Sequence, residues 1–184
     1  MNLPAELRLM ISAARIQKRV KALARQISKK VRPRERPVAV VVLQGGFVFA
    51  ADLLRHLPHD LGLEIAFLRC ESYGAETRSS GRVVLLQDLD ANVDLHGRTV
   101  LLVDDILDTG LTLAHLVAHL KRRGARKVLT CVLLMRKQAR NGMNPMQADF
   151  AGFQAGSEFF VGYGMDHAGR HRNLPCLAAL KTKA

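Results

Sequence analysis

Apolar residues along this chain fall into two kinds of pattern, and the patterns alternate. Over residues 6–30 they recur at helical spacing (Ile16, Val20, Leu23, Ile27) with basic residues between them, which predicts an amphipathic helix closed by a linker over 33–37. Residues 38–43 are an unbroken apolar run, the pattern of a central strand buried on both faces of a sheet. The run breaks at Gln44, Gly45 and Gly46, and 47–57 resumes as a helix. Another short strand is expected over 63–70. It leads into the polar stretch 71–81, which has too few apolar anchors to pack and reads as an exposed hairpin-like loop. Strand patterns follow at 83–88 and 100–103, the second ending abruptly in Asp104 and Asp105. From Leu113 helical spacing returns (Leu116, Val117, Leu120) and closes at Arg122-Arg123-Gly124, a basic stretch followed by glycine that stops helices. Residues 127–135 read as the next strand and 141–148 as a loop. Strands alternating with helices predict an α/β fold.

The junction at 104–112 carries the chemistry. Strand, acidic loop, helix and strand make one βαβ crossover, with polar residues at the carboxyl end of its first strand, where open α/β sheets bind ligands. Gly110 and the flanking Thr109 and Thr112 offer free backbone N–H groups, hydroxyls and a positive dipole end to an anion. Asp104, Asp105 and Asp108 would repel that anion unless they face another part of the same ligand: sugar hydroxyls, a bound Mg²⁺ or a proton to be removed. A phosphorylated sugar satisfies both halves. Gly45 and Gly46, directly after a strand, allow close backbone approach to a ligand, although a plain tight turn uses the same residues. There is no GxxxxGK[ST] phosphate loop. A response-regulator receiver also begins with a strand ending in two acids. It needs a second apolar strand ending in an acceptor Asp, and Asp149 follows polar sequence instead.

Composition changes this picture little. A length of 184 residues suits one domain spanning 1–184, and the chain is 48% hydrophobic, enough for a substantial core. The net charge of +12 would suit a polyanion partner. Much of the excess lies between residues 8 and 36, however, and reads as a solvated helix face rather than an RNA-binding arm. With no Trp and 5% aromatics, stacking platforms for single strands are scarce. Cys70, Cys131 and Cys176 are odd in number and show no CxxC spacing, so buried thiols in a reducing compartment are expected. Glu6 and Arg8 interrupt the start against a signal peptide, and the longest apolar stretch, 38–54, contains Gln44, Gly45, Gly46 and Asp52, against a membrane span. A cytoplasmic protein without membrane or nucleic-acid partners is expected. His167 and His171 stand four apart as metal ligands might, but no third ligand is evident and they read as exposed helix or loop residues.

The segment VLLVDDILDTGLT, residues 100–112, resembles the 5-phosphoribosyl-1-pyrophosphate (PRPP) signature of type I phosphoribosyltransferases: hydrophobic strand, two acids, two aliphatics, Asp-Thr-Gly-x-Thr. The closing segment 158–175 resembles the purine-binding end of the hypoxanthine-guanine branch, and the likeness runs from the 6–30 helix to Leu180. It implies a twisted, mainly parallel sheet flanked by helices, with a small hood built from the chain ends. It also implies purine salvage: hypoxanthine or guanine plus PRPP gives the nucleoside 5′-monophosphate and pyrophosphate, with Mg²⁺.

Carried over residue by residue, the resemblance makes Asp108 the general base. Asp108, Thr109, Gly110, Leu111 and Thr112 would hold the 5′-phosphate, and Asp104 and Asp105 the ribose hydroxyls, directly or through Mg²⁺. Gln44, Gly45 and Gly46 would contact pyrophosphate beside a cis peptide at Leu43–Gln44, with Arg172 gripping it. Phe159 would stack on the purine, the backbone of Phe160 would read its edge, and Asp166 would assist the base or a metal. Ser72 and Tyr73 would form the tip of a lid that excludes water from a cation-like ribosyl. The chain departs from the family at one point. The Lys that donates to the purine's exocyclic oxygen is replaced by Arg136, with Lys137 beside it, so either Arg136 serves as a bidentate donor or Lys137 takes over by a local shift. Dimers or tetramers are usual in the family. An enzyme for xanthine or another base, or a regulator that keeps a PRPP pocket and binds RNA, is the alternative.

Overall fold

The structure is a computed structural model describing residues 3–73, 82–136 and 146–181. Its strands are β1 (Leu7–Ile11), β2 (Val38–Leu43), β3 (Glu64–Tyr73), β4 (Arg82–Gln87), β5 (Thr99–Leu107), β6 (Lys127–Arg136), β7 (Phe150–Ala155), β8 (Phe160–Val161) and β9 (Leu177–Leu180). Its α-helices are α1 (Ala13–Ser28), α2 (Phe47–Leu54) and α3 (Leu111–Arg122). The main sheet runs β4-β3-β2-β5-β6-β7, parallel throughout except for β3 with β4. Both chain ends meet in a separate antiparallel sheet, β1-β9-β8, which is the expected hood.

The all-apolar strands are explained by two cores on opposite faces of the main sheet. On β2 and β5, Val38, Val40, Val42, Val100 and Leu102 pack with Leu116 and Leu120 of α3. Their neighbours Val41, Leu101 and Val103 pack with Ile16, Val20 and Leu23 of α1, Phe49 and Leu53 of α2, and the hood's Phe160 and Leu177. Side chains alternate in direction along a strand, so a strand covered on both faces must be apolar at every position. The hood is thereby seated on the α1/α2 side of the sheet.

Element boundaries differ from the sequence expectation in several places; α2, expected over 47–57, already ends at Leu54. The helix expected from residue 6 begins at Ala13, capped by the Ser12 side chain, which accepts from the Arg15 N–H at 3.4 Å. Residues 7–11 form β1 instead. Leu7 and Ile11 are four apart and would suit a helix equally well, but pairing with β9 (Leu7 opposite Leu180, Arg8 opposite Ala179) claims the backbone. The linker at 33–37 contains a short 3₁₀ turn, Pro33–Glu35. β3 runs on into the polar stretch, because β4 supplies antiparallel partners as far as Tyr73 opposite Arg82. β5 likewise does not stop at its acids: Ile106 and Leu107 stay in register with Leu134 and Met135 of β6.

Candidate active site

The carboxyl ends of β2 and β5 bring the first group of candidates together. Asp104 is 7% exposed. The Asp105 N–H donates to Asp104 Oδ1 at 2.9 Å, and the Ile106 N–H donates to Asp105 Oδ1 at 2.7 Å. Burial, then the neighbouring Asp105 charge, raises the Asp104 carboxyl well above the usual carboxylate range. Burial also raises Asp105, although hydrogen bonds to its charged form and the Arg172 charge oppose the rise. Two acids forced together in a desolvated corner are suited to sharing a proton, or to meeting a cation or ribose hydroxyls.

Gly45 and Gly46 let this corner close. A Cβ on Gly45 would stand 1.8 Å from Asp105 Oδ2, and one on Gly46 would stand 2.8 Å from the Val42 carbonyl oxygen. The Leu43–Gln44 peptide is cis. The hood reaches the same place from the other side. Arg172 donates from Nη1 to the Gly164 carbonyl at 2.7 Å and from Nη2 to Gln44 Oε1 at 3.3 Å. Its Nη2 also lies 2.7 Å from Asp166 Oδ1. The other oxygen of Asp166 accepts the Gly169 N–H at 2.7 Å, so both oxygens of this proposed metal ligand are engaged within the hood. Gly164 takes φ 101°, and a Cβ there would meet the Gly45 carbonyl oxygen at 2.2 Å.

At the amino end of α3, Gly110 is the N-cap at φ 83°, where an added Cβ would meet Met146 N at 2.9 Å. Thr109 Oγ1 accepts the Leu111 N–H at 3.4 Å. The amides of a helix's first turn lack intrahelical acceptors, so 109–112 can cradle an anion.

Asp108 and Phe159 are joined by Arg136. Arg136 is 3% exposed at the end of β6. Its Nε lies 3.0 Å from Asp108 Oδ1, an ion pair whose N–H is not aligned as a hydrogen bond. Its Nη1 donates to the Gly156 carbonyl, and its Nη2 donates to the Glu158 carbonyl at 3.0 Å. The residue expected at the purine's exocyclic oxygen is therefore turned onto the protein itself. Phe159 is 43% exposed, and the His167 ring stands nearly perpendicular to it, centroids 5.5 Å apart at 78°. His167 is thus a neighbour of that ring that spacing alone did not indicate. Phe160 is 8% exposed and pairs with Ala179 of β9. Ser72 and Tyr73 close β3, opposite Val83 and Arg82. Lys137 and the body of the expected lid, 74–81, lie outside the described residues.

Sequence reasoning missed the support beneath this site. Asp52 Oδ2 accepts from Gln17 Nε2 and from the buried Tyr163 hydroxyl, each at 2.6 Å, which ties α1, α2 and the hood together. Arg19 donates to the Ala151 and Gly152 carbonyls of β7, each at 2.6 Å, so this member of the basic helix face is not wholly given to solvent. Gln17 lies one residue from the Ile16 core position, a weak signal at best.

The phosphoribosyl transferase domain family model matches residues 11–167. This chain belongs to the phosphoribosyltransferase family. It is 40% identical over 174 residues to the hypoxanthine-guanine phosphoribosyltransferase of Bacillus subtilis, covering 95% of this chain and 93% of that protein. The crystal structure of a Bacillus anthracis hypoxanthine-guanine phosphoribosyltransferase, with a HEPES molecule in its active site, superposes with a TM-score of 0.82 at 39% identity, covering 95% and 97%. A solved hypoxanthine-guanine-xanthine phosphoribosyltransferase gives a TM-score of 0.83 at 30% identity, covering 97% and 100%. The expected fold and family are borne out. Among the described residues no helix is long and apolar enough to cross a membrane.

Proposed function

We propose that this chain is a 6-oxopurine phosphoribosyltransferase of purine salvage, converting hypoxanthine or guanine plus PRPP to the nucleoside 5′-monophosphate and pyrophosphate. The observation that carries the reading is the run from the paired acids of β5 to the amino terminus of α3. The hood's Arg172 acts on Asp105 at one end of it, and Arg136 links Asp108 to the segment bearing Phe159 at the other. Residues 108–112 hold the 5′-phosphate, and Asp104 and Asp105 face the ribose. Gln44, Gly45, Gly46 and Arg172 hold the pyrophosphate. The base lies on Phe159, within reach of Asp108. As the bond from the anomeric carbon to pyrophosphate lengthens, that carbon turns cation-like, and the fixed carboxylates beneath it stabilise the charge. Asp108 takes the proton from the purine ring nitrogen as general base, a step worth roughly 10²–10⁴-fold.

Among the described residues no three carboxylate, imidazole or thiol groups cluster as a metal site. Magnesium uses one or two carboxylates together with substrate phosphates and water, and the paired acids of β5 supply two. Asp104 and Asp105 would hold it, while Asp166, with both oxygens engaged, is better placed to hold Arg172. Bound magnesium would neutralise the pyrophosphate leaving group. Three free cysteines suit a reducing, cytoplasmic setting. Ile65 and Phe67, two apart on β3 and both exposed on one face, suit burial against a second copy in a dimer or tetramer. Incubation with PRPP, magnesium and each of hypoxanthine, guanine and xanthine tests the reading: nucleotide forms from at least one 6-oxopurine. No nucleotide and no pyrophosphate from any of them would overturn it.

A further inference from the structure

We propose that Arg136 is a positioning residue that sets Asp108 and the Phe159 loop against each other, rather than a donor to the purine. The inference rests on the function proposed above and concerns how that site is assembled. Three observations carry it. The guanidinium is almost fully buried, at 3% exposure, so its position is fixed by protein contacts. Its two Nη groups bond the carbonyls of Gly156 and Glu158, which bracket the turn from β7 into the hood and end one residue before Phe159. Its Nε lies against Asp108, at the mouth of the α3 cradle. One rigid group therefore spans the proton acceptor on one side of the purine site and the segment bearing its stacking ring on the other.

The chemistry favours Arg for that task. A guanidinium is planar and presents its donors as a fixed fork, so it can hold two carbonyls and a carboxylate lying in different directions. An ammonium is a point charge with three donors on one atom and cannot reach all three at once. A buried cation also needs a counter-charge, and Asp108 supplies one here. Moving Arg136 would release the loop and the acid together.

The test separates an indirect role from a direct one by the choice of base. Hypoxanthine KM, PRPP KM and kcat are measured for the wild-type enzyme, Arg136→Met and Arg136→Gln. The inhibition constant of unsubstituted purine, which has no exocyclic oxygen, is measured alongside. Both variants should weaken hypoxanthine and purine by the same factor, about tenfold, the worth of one charge-assisted hydrogen bond, and lower kcat as Asp108 is released, with PRPP KM moved by less than that factor. Should Arg136→Met fail to fold, Arg136→Gln keeps an amide donor for the Gly156 and Glu158 carbonyls and carries the same comparison without installing the lysine that the family uses on the oxygen. A loss seen with hypoxanthine but not with purine means direct contact with the oxygen and overturns the inference. So does a parallel rise in PRPP KM, the mark of general damage. Wild-type protein inactive on every 6-oxopurine would sink the functional reading and the inference with it. An active wild type with the wrong variant pattern would sink the inference alone.

Discussion

Replacing Gly45 by alanine tests how closely the site is built. The new Cβ would stand 1.8 Å from Asp105 Oδ2 and 2.6 Å from its Cγ. Ordinary contact needs nearly twice the shorter distance, so the carboxylate must retreat by about 1.5 Å. What yields is the end of a side chain. The stability loss should therefore fall at the low end of the roughly 1–3 kcal/mol usual for overpacking. Activity has no such relief, because a misplacement of about 1 Å at a reacting centre can cost about 10²-fold. Gly46→Ala makes the useful contrast. Its Cβ would meet the Val42 carbonyl oxygen at 2.8 Å, and a backbone oxygen within β2 cannot swing aside. That variant should lose stability first, melting about 2–4 °C lower for each kcal/mol in a chain of this size. The assay is kcat/KM for PRPP at saturating hypoxanthine, with thermal melting of both variants. G45A should lose activity about 10²-fold while melting within a few degrees of wild type. Full activity in G45A would mean that the carboxylate packed there is not used. A lower melting point for G45A than for G46A would refute the distinction between side-chain and backbone relief.

Further expectations concern the proton acceptor, the support beneath it and the thiols. Asp108→Asn should lower turnover by roughly 10²–10⁴-fold while leaving PRPP binding by calorimetry nearly intact, and equal losses in both would reject the base role. Tyr163→Phe removes one hydrogen bond to the Asp52 carboxylate and should cost about 1.5–3 kcal/mol in urea unfolding. Burial alone would raise the Asp52 carboxyl, but bonds from Tyr163, Gln17 and Arg55 outweigh it and hold it below its ordinary 3.8. Its contribution to stability is thus complete above about pH 4 and is lost as pH falls through the lowered value, so the wild-type and Y163F curves should converge on acidification. Parallel curves would count against the link. Burial pushes the Cys70 thiol up to about 11 and raises Cys131 and Cys176 as well, so native protein at pH 8 should react slowly with a disulfide reagent and yield three thiols once denatured.

The sequence by itself determined the elements whose pattern is local and the motif whose order is distinctive. Unbroken apolar runs marked β2 and β5 because both of their faces are covered, and residues 100–112 carried the phosphoribosyltransferase likeness in consecutive positions. Tertiary structure decided what depends on a distant partner. β1 is a strand rather than the first turns of a helix because β9, some 170 residues away in the chain, supplies its hydrogen bonds, and no local propensity registers such a partner. Arg136 read as a donor to the base, by itself or through a shift that puts Lys137 there, because its neighbours in sequence are all that a sequence shows. Folding brings the carbonyls of Gly156 and Glu158 and the carboxylate of Asp108 around it, and those three contacts fix what the guanidinium can do. Residue type is written in the chain, whereas a donor's partner is a matter of distance, and distance exists only once β5, β6 and the hood have closed on one another.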